Sequence, residues 1–235
     1  MMNRGAWASA AALAVLLTAG CGGGNSDSGA SATAPPPSTP REQLVLTEQE
    51  FPAGAKKLDI PQDKLQATAG DFEGMMATTK VQPAECQSPQ QDLSAATKAV
   101  LSKSATSAAT TDKLMLVDFV SGQVFDLRKM ADTNNKCADV TTSATVDDNH
   151  VDGTTKIEKL DLPAALAGTD AIAYRVTSTA KVGDGDPITT TSYQGWATLR
   201  STTVGVRATS FSGGIDDATF QQVFATAVKK VRDAK

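Results

Sequence analysis

The sequence predicts an α+β fold in which a mostly antiparallel sheet is covered by a long N-terminal helix and a C-terminal helix. Three observations carry that expectation. Near the C-terminus, Phe220, Val223, Phe224, Ala227, Val228 and Val231 recur at three- and four-residue spacing, the stripe of a helix lying on a core. Before it comes a series of Thr- and Val-rich runs of strand length, with no helical pattern between the later ones. That favours antiparallel neighbours over alternating βαβ units. Earlier still, Ser88-Pro89-Gln90-Gln91 sets a cap residue, Pro at the first helical position and Gln at the third, ahead of a helical face through Leu93, Ala96, Val100 and Leu101.

Taken in order, residues 1–20 precede the folded part. Arg4 is followed by a small or apolar run from Ala6 to Leu17, broken only by Ser9, and then by small residues. A basic start, an apolar centre shorter than the roughly 20 residues needed to span a bilayer, and small residues at a cut describe an export signal. Leu17-Thr18-Ala19-Gly20-Cys21 resembles the lipobox of bacterial lipoproteins. That resemblance implies cleavage before Cys21, with diacylglycerol on its thiol and acyl chains, palmitate among them, holding the chain at the membrane. Residues 21–43 are the lipidated Cys and a Gly/Ser/Pro tether expected to be disordered. Gly22 to Gly29 offers almost nothing apolar to bury, and Pro35, Pro36, Pro37 and Pro40 stiffen the second half.

Residues 44–235 form the extracytoplasmic α+β domain, about 190 residues and enough for one core. Leu46 to Phe51 reads as a short amphipathic turn stopped at Phe51-Pro52-Ala53-Gly54. Leu114, Met115, Leu116, Val117, Phe119 and Val120 form a short apolar run, a central strand. Cys137 to Val146 and Thr155 to Leu162 follow as strands. Ile172, Tyr174 and Val176 alternate with Ala173, Arg175 and Thr177, the period of a half-buried strand. Gly183-Asp184-Gly185-Asp186 is a hairpin turn. Thr189 to Leu199 and Thr203 to Phe211 make a second hairpin around Arg200-Ser201-Thr202, with Gly195 marking a bulge or a close approach. Asp216 caps the last helix, Ile215 and Phe220 staple it, and Lys229, Lys230 and Arg232 suit its C-terminal end.

The candidate chemistry is sparse. The chain has 26 acidic and 22 basic residues, so no basic face for nucleic acid is expected. With Cys21 lipidated, Cys86 and Cys137 remain in an oxidising compartment, as a disulfide or as two unpaired structural thiols. The single His150 lies in a polar turn, Asp147 to Gly153. There Asp148, His150, Asp152 and Gly153 only loosely match a calcium loop, and Lys159 stands where a bidentate Glu is required. No metal, cofactor or catalytic set is expected, nor an enzyme, since a lone His and no Gly-x-Ser-x-Gly elbow make a poor triad. Met75 and Met76, after Phe72, read as core filling. Tyr174 and Trp196 are the candidate pocket lining, with a mixed aromatic core as the alternative.

Glu50-Phe51-Pro52-Ala53-Gly54, with Val81-Gln82-Pro83-Ala84-Glu85-Cys86 some thirty residues later, resembles the opening of an actinobacterial sensor-domain lipoprotein of unknown function. Such proteins are distantly similar to the extracellular domain of mycobacterial serine/threonine receptor kinases. The resemblance matches an Ala-rich helix at Gln90 to Ser104, a strand begun by Cys137, a hairpin at Tyr193 to Phe211 and a helix at Asp217 to Val231. It implies no catalytic residues. The expectation is a lipoprotein on the outer face of the cell membrane, with a non-catalytic binding or sensing domain for an envelope lipid, glycan or protein. The alternative is a structural or protein-interaction lipoprotein without a small-molecule pocket.

Overall fold

A computed structural model describes residues 34–61, 78–89, 91–92, 103–146, 149–210 and 214–235. The export signal, Cys21, Phe72, Met75, Met76 and most of the helix expected over Gln90 to Ser104 lie outside these residues. Of that helix, residues 87–89, 91 and 92 are helical, and Ser104 already begins a strand.

The fold is α+β. Nine strands form one antiparallel sheet in the order β1-β3-β4-β9-β8-β7-β6-β5-β2. They are β1 Lys56–Leu58, β2 Lys80–Gln82, β3 Ser104–Thr110, β4 Leu114–Ser121, β5 Asp139–Val146, β6 Asn149–Lys159, β7 Asp170–Val182, β8 Ile188–Leu199 and β9 Thr202–Ser210. The α-helices that lie wholly within the described residues are α1 Arg41–Leu44, α2 Leu127–Lys136 and α3 Asp217–Arg232. None of them is long and apolar enough to cross a membrane. The path is simple. The β3–β4 hairpin leads into α2, which carries the chain across one face to β5. A meander from β5 to β9 then returns until β9 pairs with β4.

Strand alternation gives the sheet two buried faces. Leu116, Val120, Tyr193, Ala197, Val204, Val206 and Ala208 meet Phe220, Val223, Phe224, Ala227, Val228 and Val231 of α3, with Leu44, Leu46 and Phe51 of the entering chain at the edge of the cluster. Each such fully buried Leu, Val or Phe contributes about 1.5–3 kcal/mol over leaving it in water. On the opposite face α2 lowers Leu127 and Met130 onto Ile157, Ile172, Tyr174, Val176 and Trp196. Phe119 and Phe125 meet the Trp196 ring edge-to-face, with centroids 5.2 and 5.7 Å away.

Two glycines let rings lie flat on the strands. A Cβ on Gly195 would stand 2.7 Å from the Phe224 ring, and one on Gly205 would stand 2.2 Å from Phe119. Gly195 therefore marks a close approach, and β8 runs past it without a bulge. Asp216 caps α3 by accepting from the Thr219 backbone N–H at 3.0 Å, and Ile215 and Phe220 are buried on either side of the cap. The β8–β9 turn is made by Arg200 and Ser201, both with φ near +50°, the left-handed pair a two-residue hairpin requires.

Three elements depart from the sequence expectation. The strand β3 begins at Ser104, the last residue expected of the long helix. The helix α2 has no counterpart among the expected elements. His150 and Gly153 belong to β6, paired with Thr145 and Thr142, rather than to a polar turn. Facing a Thr-rich β5, Asn149 to Gly153 joins the ladder, while Asp147 and Asp148 lie outside the described residues.

Candidate functional site

The sheet extends beyond α3 on the α3 side, and there its surface is open and polar. Two cross-strand rows line a groove of about 420 Å³ across β2, β5, β6 and β7. One row is Lys80, Ser143, Asp152 and Lys181, each directly opposite the next. The neighbouring row is Gln82, Thr141, Thr154 and Thr179, continued on β8 by Thr189, whose hydroxyl bonds that of Thr179 at 2.9 Å. The rows exist because alternation sends every second residue of each strand to one face and the register brings the same parity together. The groove thus offers hydroxyls, one amide and two ammonium groups against one carboxylate. His150 stands beside it, its Nε2 3.1 Å from Asp152 Oδ1.

Between the groove and α3 lies a second charged row. Arg175 donates from Nε and Nη2 to Glu158 Oε2 at 3.1 and 2.9 Å, and Tyr193 donates to Asp217 Oδ1 at 2.5 Å. The Arg175 and Lys156 bonds hold the Glu158 carboxyl below its usual value. Burial, and then the Asp217 carboxylate, push the Tyr193 phenol up.

The sequence-derived candidates fall in different places. Cys86 and Cys137 are joined in a disulfide, buried with Val81 and Val140 beside the edge strand β2. Tyr174 and Trp196 lie together under α2, 1% and 9% exposed, and neither lines the groove. The Tyr174 hydroxyl lies against the Asn134 amide without a well-formed hydrogen bond.

No family model matches the chain, and no curated protein matches it. Among solved structures it is similar to an uncharacterized protein from Mycobacterium smegmatis, at 12% identity and a TM-score of 0.43, covering 78% of this chain and 92% of that one. A likeness at that level carries no argument about activity.

Two charged residues outside the sequence-derived candidates are buried in the central strands. Asp118 on β4 is fully buried on the α3 side, and its Oδ2 accepts from the Leu46 backbone N–H at 2.7 Å. Burial pushes its carboxyl up to about 7, against the pull of the Leu46 bond and of Lys230. Lys230 itself donates to Val45 O at 2.8 Å and to Glu50 Oε2 at 2.6 Å, which ties the entering segment to α3. Although burial pushes the Glu50 carboxyl up, the Lys230 and Thr47 bonds hold it below its usual value. Arg207 on β9 is buried on the α2 side. Both break an apolar alternation, and that break is the signal by which they could have been found. Among the described residues no cluster of three or more His, Cys, Asp or Glu side chains converges on a point where a metal could sit.

Proposed function

We propose that this chain is a lipoprotein of the outer cell-membrane face, held through Cys21, whose domain binds a hydroxyl-rich acidic ligand of the cell envelope, a glycan, without transforming it. The observation that carries the reading is the pair of side-chain rows in the groove. Hydroxyl and amide groups in register suit a polyhydroxylated chain, and Lys80 and Lys181 flanking Asp152 leave a local positive excess on a domain of net negative charge.

The position of the tether supports the same reading. Arg200 donates to Pro35 O at 2.8 Å and Ser38 N–H donates to Lys235 O at 2.6 Å, so the entering chain lies by the β8–β9 turn. Asp170, opposite Thr198 next to that turn, begins β7, and Lys181 in the groove stands near its other end. Eleven residues at about 3.4 Å each set the groove roughly 35 Å along β7 from the tether. The sensor-domain resemblance fits this arrangement as one form of the same function.

The test is titration calorimetry of the lipid-free domain with a uronic-acid oligosaccharide and with a neutral maltooligosaccharide. The acidic one is expected to bind. K80A/K181A is expected to weaken it about five- to thirtyfold, the effect of two exposed charge contacts of about 0.5–1 kcal/mol each. Binding of both sugars alike, or of the acidic sugar unchanged by K80A/K181A, removes the groove from the function. No binding of either favours a structural or protein-interaction lipoprotein.

A further inference from the structure

Arg207 occupies the middle of the nine-stranded sheet, directly between Val117 of β4 and Gln194 of β8, and is 7% exposed. Its Nε donates to Thr209 Oγ1 at 3.0 Å, while Nη2 is fully enclosed and donates to nothing among the described residues. Among the described residues no carboxylate forms an ion pair with it. Burial pulls the guanidinium down to about 10, and no charge among the described residues holds it up. An isolated buried guanidinium is a costly feature, and native interiors pair such groups.

The same face of the sheet collects other donors without acceptors. Ser192, opposite Thr209, is fully buried with its hydroxyl unpartnered among the described residues, and the Tyr174 hydroxyl opposite Gln194 has only the poorly aligned Asn134 amide beside it. Trp196 Nε1, which can only donate, and the Thr106 hydroxyl complete the set. Water could satisfy the hydroxyls. It could not neutralise the guanidinium, and a site rich in donors with one fixed cation is complementary to an anion.

We propose that the α2 side of the central strands is a buried binding site for a small oxyanion, a phosphate or carboxylate group. Arg207 is its charged ligand and Ser192 a neighbouring hydroxyl donor. The planar fork of Arg presents two parallel N–H groups to two oxygens of either group, which a Lys in the same place could not do. Ser192 lies on the diagonal from Arg207 across the β8–β9 pair, within reach of an anion held at the guanidinium. This site is on the opposite face from the groove, so it goes beyond the glycan reading and can fail independently of it.

The test uses the intact domain dialysed free of oxyanions, titrated with inorganic phosphate and separately with acetate at constant ionic strength, and read as thermal midpoint. One of the two is expected to raise Tm by about 3–6 °C at tenfold over its Kd. The anion that acts identifies the group as phosphoryl or carboxylate. R207M should abolish the response and, in anion-free buffer, melt no lower than the parent, because an unpaired buried cation has been removed. R207K keeps the charge without the fork and should weaken the response at least tenfold, which retains a readout if R207M does not fold. S192A should weaken it with little effect on the anion-free midpoint. A parent domain that responds to neither anion, or an R207M protein that responds as the parent does, overturns the proposal.

Discussion

Asp118 makes the stability of this domain pH-dependent in a direction opposite to that of an ordinary surface carboxylate. Its folded-state value is about 7 against an ordinary 3.8, so the folded protein holds the proton more tightly than the unfolded chain. The stability it contributes is complete below about pH 3.8 and is lost as the pH rises through about 7. At about 1.4 kcal/mol for each tenfold change in proton affinity, that difference amounts to about 4 kcal/mol over the whole range. Between pH 5 and pH 8, where Glu50 and Asp216 are already ionised, the loss is about 2–3 kcal/mol, or roughly 5–10 °C in Tm for a domain of this size. Asp118→Asn keeps a carbonyl for the Leu46 N–H and removes the titration. Its buried amide imposes a cost that does not vary with pH. The assay is urea unfolding of both proteins at pH 5, 6, 7 and 8, with the difference in stability plotted against pH. The parent should lose about 2–3 kcal/mol relative to Asp118→Asn across that interval. Difference values flat to within about 0.5 kcal/mol would refute the assignment of Asp118 as a buried, largely neutral acid.

Two further outcomes follow from packing and connectivity. The Cys86–Cys137 bond closes a loop of 51 residues, so Cys137→Ser, or reduction of the parent, should cost about 4 kcal/mol on the chain-entropy model. A change below about 1 kcal/mol in urea unfolding with and without reductant would contradict it. Gly195→Ala drives a methyl group into the Phe224 ring and should cost about 1–3 kcal/mol, with Phe224→Leu on the same chain recovering part of the loss. Additive losses in that double variant would show that the ring is not the obstacle.

The parts of the fold that can be read in the sequence are those whose local pattern and tertiary role agree. The helix α3 carries its own cap, staple and stripe, and β8 and β9 are long enough for period-two alternation to show. The strand β3 is Ser-Ala-Thr-Ser-Ala-Ala-Thr, small residues with no strong preference, and it is a strand because β4 on one side and β1 on the other supply its ladder. The helix α2 buries only Leu127, Met130 and Asn134, too thin a stripe to stand out, although Asp126 caps it by accepting from Lys129 N–H at 2.9 Å. That helix decides what Tyr174 and Trp196 are. Their alternating pattern places them on neighbouring strands as a pocket or an aromatic core, and only the covering layer selects the core. The groove itself is built from Lys80, Gln82, Thr141, Thr154, Thr179 and Lys181, residues far apart in the chain and brought together by register alone.

Asp118 and Arg207 are legible in another way. Each is a single charge inside an apolar or small-residue strand pattern, Leu116-Val117-Asp118-Phe119-Val120 and Val204-Gly205-Val206-Arg207-Ala208. Periodicity reads such a residue as noise in a strand, because one mismatch does not change the period. Energetically it is the reverse of noise, since a charge enclosed on a central strand is among the most costly features a sheet can carry. Disagreement of pattern, packing and electrostatics at one residue is the mark expected of functional or strained sites. On β4 burial keeps the carboxyl neutral at mildly acidic pH, and the Leu46 N–H of the entering chain satisfies one of its oxygens. On β9 the guanidinium donates to Thr209 Oγ1 and meets no carboxylate among the described residues. A group that stays charged at every physiological pH cannot shed that charge by titration, and the proposed oxyanion would supply the counter-charge.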